Sequence, residues 1–137
     1  MAHWLFKSEP SAWSYEKLAA CGAAGTDWSG VRNHTAKQTM QAMKVGDHAF
    51  FYHSNEGKAV VGIVEVCKAY RPDPTDATGK FGMVDIRAVR PLPRAVTLED
   101  VKADKRLADM ALVKFSRLSV QPVTDAEWAL VCKMGGL

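Results

Sequence analysis

His48-Ala49-Phe50-Phe51-Tyr52-His53, Ser54-Asn55-Glu56-Gly57-Lys58 and Ala59-Val60-Val61-Gly62-Ile63-Val64-Glu65-Val66 read as strand, turn and strand. The first run is rich in aromatics, the second carries Asn and Gly, and the third is nearly all apolar and β-branched. Together they predict a hairpin. A second strand with no polar face belongs inside a sheet that is covered on both sides. In the first strand Phe50 and Tyr52 alternate with Phe51 and His53, so one pair is core and the other faces a pocket or solvent. Alternation alone does not say which. Glu65 interrupts the apolar run, and if buried it needs a partner; a backbone hydrogen bond is the expectation.

On the amino-terminal side, Lys44-Val45-Gly46-Asp47 is a turn into this hairpin. Asn33 caps a helix running to about Met43, with Met40 and Met43 on its apolar side and Lys37, Gln38 and Gln41 toward water. Earlier still, Ser14 caps a short helix from Tyr15 to Ala20, with Gly22 just past its end. An Ala-Gly loop to Gly25 follows it. His3 to Lys7 is a strand that Pro10 ends.

On the carboxyl-terminal side, Arg71 to Asp76 is a loop forced by Pro72 and Pro74, and Met83 to Arg90 is a half-exposed strand ended by Pro91 and Pro93. Thr97 and Asp104 cap short helical segments, the second running from Lys105 to Ala108. Ser119 to Val123 is an edge strand, because Pro122 cannot sit inside a ladder. Thr124-Asp125-Ala126-Glu127 is a capping box for a last helix that buries Trp128, Val131 and Cys132. The sum is an α+β fold: five or so strands with helices between them, in an antiparallel or mixed sheet that curls into a small barrel.

The 137 residues, 47% hydrophobic and 24% charged, suit one soluble domain spanning 1–137. No apolar run has the length of a membrane span, and the first residues lack the pattern of a secretory signal. Cys21, Cys67 and Cys132 form no CxxC and no Cys/His cluster at zinc spacing, so reduced, buried thiols and a cytosolic or nuclear setting are expected. No metal, cofactor or membrane partner is implied, and a monomer is expected. A net charge of +3 permits nucleic-acid binding without demanding it.

Trp28-Ser29-Gly30-Val31-Arg32-Asn33 gathers a flat aromatic face, a permissive backbone and two directional hydrogen-bonding heads within six residues. They suit a pocket for a flat polar ring. They equally suit a core tryptophan followed by a turn into a helix. Trp4 and Trp128 sit on apolar faces and read as core, while Trp13 is placed to cover the barrel end. Arg32 is a candidate to pair with Asp27 or Asp73, and Arg87, Arg90 and Arg94 read as a solvated face. His53 is as well explained by a structural hydrogen bond as by a base contact. Ser8, Ser29 and Ser54 have no G-x-S-x-G context, and the four histidines show no metal spacing, so no catalytic residue is assigned.

Seven segments in order resemble an EVE domain: Trp4 to Pro10, Trp28 to Asn33, Met43 to Asp47, Phe51 to Asn55, Val61 to Glu65, Tyr70 to Thr75, and Ser116 to Val120. The resemblance implies a PUA-like fold, a mixed β-barrel of about five to six strands flanked by short helices and similar to YTH domains. It implies a non-catalytic reader of a modified or flipped nucleobase in DNA or RNA, cytoplasmic, or nuclear in a eukaryote. Lys7-Ser8, Trp28 and Ser54-Asn55 resemble the corresponding YTH positions, and a second cage wall is expected from Phe81-Gly82-Met83, where relatives tend to carry Trp.

A base held this way needs a stacking face and groups on its polar edge. Trp28 is the face. Ser8, Ser29, Asn33, the backbone at Gly30 and Val31, and Tyr52, His53 and Ser54 are the edge and wall candidates. Lys7, Arg32 and Arg117 are the phosphate candidates, with Lys114 and Lys80 near them. Two alternatives remain. One is an amidohydrolase of the PUA-like ASCH type that uses Lys7 and Glu9. The other is a protein-interaction domain with a vestigial pocket.

Overall fold

The computed structural model describes residues 2–11, 13–55, 57–115 and 117–137; Glu56 of the expected hairpin loop and Ser116 of the last quoted motif lie outside them. Six strands form one mixed sheet: β1 His3–Ser8, β2 Thr26–Asp27, β3 His48–His53, β4 Ala59–Pro72, β5 Gly82–Thr97 and β6 Val120–Val123, in the order β2-β5-β4-β3-β1-β6. Neighbours run antiparallel except β1 and β3, which pair in parallel from His3–His48 to Ser8–His53. A parallel pair needs a crossover connection. Here the crossover is residues 9–47, and it carries α1 Tyr15–Ala20, β2 and α2 His34–Gln41.

Both faces of the sheet are covered. On one, Trp4, Phe6, Phe51, Val64, Val84 and Ile86 meet Tyr15 and Leu18 of α1 and Ala36 and Met40 of α2. On the other, Leu5, Phe50, Tyr52, Ile63 and Val96 meet α3 Leu98–Ala103, α4 Ala111–Lys114 and α5 Asp125–Met134 through Val101, Leu112 and Val131. The β3 alternation is thereby resolved: Phe51 belongs to one core, Phe50 and Tyr52 to the other, and His53 is half-buried at the strand end. Trp128 stacks between His3 and Phe50, with centroids at 4.2 and 4.1 Å. Trp4 donates its indole N–H to the buried Asp47 at 3.0 Å, and the same carboxylate accepts from the Lys44 amide that starts the turn.

The caps stand where the sequence puts them. Ser14, Asn33, Thr97, Asp104 and Thr124 each accept an amide two or three residues ahead. Several expectations change. Pro91 and Pro93 do not end β5, which continues to Thr97, and β4 continues through Arg71 and Pro72. β5 meets β2 only opposite Asp85 and Ile86, and the β4–β5 register shifts between the Val60–Val96 and Gly62–Pro91 pairs, so the prolines sit where the ladder is irregular. The start of β5, Gly82 to Ile86, is buried rather than half-exposed. Glu65 pairs with Arg87 through Nε at 2.9 Å and with His48 at 3.5 Å, not with backbone, which also removes Arg87 from the solvated face. The three cysteines are free but only half-buried. Two short elements, β2 and α4, carry no periodic signal and were not anticipated.

Gly62 shows how tightly the hairpin and the crossover meet. A Cβ there would lie 2.4 Å from the ring of Tyr15, whose hydroxyl donates to the Ile63 carbonyl at 2.9 Å. Gly62→Ala should therefore destabilise the fold by about 1–3 kcal/mol, the range for an overpacked core, as read from the urea-unfolding midpoint. An unchanged midpoint would mean that Tyr15 moves aside freely.

Candidate nucleic-acid interface

The crossover delivers two tryptophans to one end of the sheet. Pro10 turns the chain after β1, the Trp13 amide donates to the Glu9 carbonyl at 2.8 Å, and Ser8 Oγ donates to the Trp13 carbonyl at 2.6 Å. Trp28 follows β2, with its amide on the Val84 carbonyl at 2.8 Å. Its ring packs edge-on against Phe6 and Phe51, at 5.2 and 5.9 Å between centroids. The indole is thus half core wall and half open. Ser8, Trp13, Thr26, Asp27, Trp28 and Ser29 line a cavity of about 340 Å³. That volume accommodates a single ring system with its substituents.

Trp13 is the residue sequence reasoning missed. Its indole N–H is buried with no acceptor among the described residues. The available signal was a tryptophan five residues past Ser8 across a proline turn. Phe81, from the region expected to supply the second wall, is not on this cavity. Its ring lies 5.0 Å from that of His34, with the Arg32 and Lys37 cations 5.8 and 5.7 Å from its centroid. Met83 is core.

The loop after Trp28 is fixed by Asp73. This buried carboxylate accepts from the Gly30 amide at 2.8 Å, from Arg32 at 3.2 Å, and from the Thr75 amide and hydroxyl at 2.7 and 2.6 Å. Gly30 has φ +83°, a left-handed conformation that favours glycine. Val31 is core, and Arg32 also reaches the Val31 carbonyl and Thr75. Burial pushes the Asp73 carboxyl up, but the Thr75 hydroxyl, the Gly30 and Thr75 amides and Arg32 outweigh it and hold its pKa at about 2.

Other candidates lie elsewhere. Ser8 and Ser29 share the Trp28 cavity, but Lys7, the next residue along β1, points to the opposite face. There it lines a cavity of about 210 Å³ with Tyr52, Ser54, Asn55 and Lys58, and its ammonium lies 5.8 Å from the Tyr52 ring centroid. Burial lowers the Lys7 pKa and raises that of Tyr52. His53 Nε2 accepts the Tyr15 amide at 3.1 Å, and burial keeps the ring toward its neutral form against the opposing charge of Glu16. It is a structural histidine. Asn33 and Arg117 meet across a further cavity of about 420 Å³, with Thr35, Lys114, Phe115 and Leu118. Lys80 is exposed in the turn before β5. Among the described residues no group of three His, Cys, Asp or Glu is placed to hold a metal, and no helix is long and apolar enough to cross a membrane.

The depressed Asp73 pKa carries a pH dependence. Its contribution to stability is complete above the ordinary carboxyl value of 3.8 and is lost as pH falls through about 2. Asp76 is also held at about 2, so the two overlap. Asp73→Asn should therefore be less stable than wild type at neutral pH, and that gap should narrow between about pH 4 and 2, in urea titrations at each pH. A constant gap would assign the stabilisation to shape rather than charge.

Comparison with known proteins agrees with this architecture. The EVE domain family model matches residues 2–134. A solution structure from Rhodopseudomonas palustris is 65% identical, with a TM-score of 0.95, and the match covers 99% of this chain and 94% of that one. Human thymocyte nuclear protein 1 is 33% identical over 97% of this chain and 73% of its own length. A crystal structure of the human THYN1 protein in complex with 5-methylcytosine-containing DNA matches with a TM-score of 0.92 and 32% identity, covering 100% and 99% of the two chains. A YTH domain from Zygosaccharomyces rouxii, in complex with N6-methyladenosine RNA, shares the fold at a TM-score of 0.60 and 17% identity, over 99% and 87% of the chains. With its two-sided mixed sheet and its family-model match over nearly every residue, this chain belongs to the EVE domain family.

Proposed function

We propose that this protein is a nucleic-acid reader that holds one modified or flipped nucleobase between Trp28 and Trp13, without turnover. The observation that carries the reading is the 340 Å³ cavity, which joins two indoles to the hydroxyl residues Ser8 and Ser29. A base entering it stacks on an indole, a contact worth about 1–3 kcal/mol. The serine hydroxyls and the Trp13 indole N–H supply its polar edge, that N–H being a buried donor in need of an acceptor. An added methyl group gains by filling space against the aromatic wall, about 1–3 kcal/mol. The human THYN1 complex makes 5-methylcytosine in DNA the first ligand to examine. Such a ligand suits a cytoplasmic protein, or a nuclear one in a eukaryote.

The placement of Lys7 favours binding over hydrolysis. It is the lysine that an amidohydrolase reading needs, and it lines the cavity on the far face from the two indoles. A ligand among the tryptophans is therefore out of its reach.

The test is binding to matched oligonucleotides, DNA and RNA, each with one modified cytosine or adenine, at moderate salt. A preference of about tenfold for one modification is expected. It should be lost in Trp28→Ala and reduced in Trp13→Ala, with folding of both checked by circular dichroism. The oligonucleotide should be recovered unchanged. Equal binding to all probes that disappears with salt would overturn the base pocket and leave only a basic surface.

A further inference from the structure

Next to the Trp28 cavity is the larger one lined by Asn33, Thr35, Lys114, Phe115, Arg117 and Leu118. Two connections bring the cavities together. Ser29 and Asn33 are four residues apart in the loop that Asp73 fixes. Ser8 ends β1 and Leu118 precedes β6 at the same end of this antiparallel pair, where the Lys7 amide donates to the Ser119 carbonyl at 2.8 Å.

Phe115 is 56% exposed, an unfavourable position for a phenyl ring unless something covers it. The backbone that presents it is held from within. Gln121, fully buried in β6, donates its side-chain amide to the Phe115 carbonyl at 3.1 Å and to the Leu118 carbonyl at 2.9 Å. Desolvating a glutamine is unfavourable, and here it fixes the backbone at both ends of a short loop carrying an exposed ring. Leu118 anchors the loop on the core below.

Around the ring the charge is positive. Arg117 has no carboxylate partner among the described residues. Lys114 reaches Asp109 at 3.2 Å, but that carboxylate is largely in water and restrains the ammonium weakly. On the other side stands the start of α2, where Asn33 caps the Ala36 amide at 3.0 Å and Thr35, in the first turn, lines the cavity. An exposed aromatic flanked by cations is the arrangement that binds single-stranded nucleic acid through base stacking and backbone charge.

We propose that Phe115, Lys114 and Arg117 form a second nucleotide subsite, where the base next to the flipped one on the same strand stacks on Phe115 and its phosphate lies between the two cations. The proposal rests on the reader function above and extends it. The modified base enters the Trp28 cavity, and its neighbour, unstacked by the extrusion, regains a stacking partner on Phe115. That recovers part of the unstacking penalty. It also gives the protein a preference for single-stranded or locally opened nucleic acid.

Fluorescence anisotropy with three probes tests this: a modified nucleoside alone, the same base within a short single strand, and that strand with an abasic neighbour on the 5′ or the 3′ side. Phe115→Ala should weaken the full strand by about tenfold and leave the nucleoside unchanged. One of the two abasic strands should bind wild type about as weakly as the full strand binds the variant, and the substitution should then have no further effect. Phe115→Trp should retain or strengthen strand binding. Because the ring is exposed, neither change threatens folding. Equal affinity of wild type and Phe115→Ala for the full strand would overturn the subsite, as would parallel losses for strand and nucleoside. Failure of the base pocket looks different, since it removes the dependence on modification and on Trp28 and leaves the Phe115 comparison readable.

Discussion

A carboxylate removed from water has to be satisfied by donors, and Asp73 draws its donors from two separate stretches of chain. Thr75 lies in the turn after β4, whereas Gly30 and Arg32 lie in the loop that follows Trp28. One buried charge thus couples the β4–β5 connection to the site loop. Its strong hydrogen bonds explain both the left-handed Gly30 and the withdrawal of Arg32 toward the protein. The position of Trp28 follows from this tie and from the Val84 carbonyl that holds its amide.

The parallel pairing of β1 and β3 sets a second constraint. Joining them requires a crossover over one face of the sheet, and the segment that makes it contains Trp13, Trp28 and Asn33. The aromatic cavity is therefore a product of topology, built where the crossover passes the end of β1. The opposite face receives α3, α4 and α5 and a separate core. Strand alternation then divides neighbouring residues between two environments: Ser8 opens to the tryptophans, and Lys7 to Tyr52.

Much of this was legible in the sequence, for physical reasons that differ by element. The hairpin of β3 and β4 and the capped helices announced themselves because turn chemistry and capping act within a few residues. The reach of β5 past Pro91 and Pro93 did not, because a proline's tolerance depends on whether a neighbouring strand needs its N–H, which is tertiary information. Glu65 was recognised as needing a partner, but the partner is Arg87, 22 residues away on the adjacent strand. Trp28, Ser29 and Ser8 were anticipated together and do share a cavity. Lys7 and Tyr52 were grouped with them because sequence adjacency hides which face a residue takes. Trp13 was read only as a cover for the barrel end, because a proline turn, which carries no periodicity, brings it back to Ser8.

The ion pairs of the arginines bear on where the proposed strand would be received. Arg32, Arg71 and Arg87 are each directed at an acidic partner, Asp73 at 3.2 Å, Asp85 at 2.7 Å and Glu65 through Nε at 2.9 Å. Two of these carboxylates are buried, so drawing Arg32 away toward a phosphate would leave Asp73 to neutral donors alone, and drawing Arg71 away would leave Asp85 only Lys68 at 3.7 Å. The cations least bound by such ties near the aromatic cavity are Lys114 and Arg117. The first has only a water-exposed aspartate, and the second has no acidic partner among the described residues. A net charge of +3 is too small to attract nucleic acid indiscriminately, so the location of the available charge matters more than its total. It lies where the amino end of α2 and the Phe115 loop meet, beside the two tryptophans. Structural arginines hold the sheet and the site loop in shape, and Lys114 and Arg117 are the pair left over for the strand proposed above.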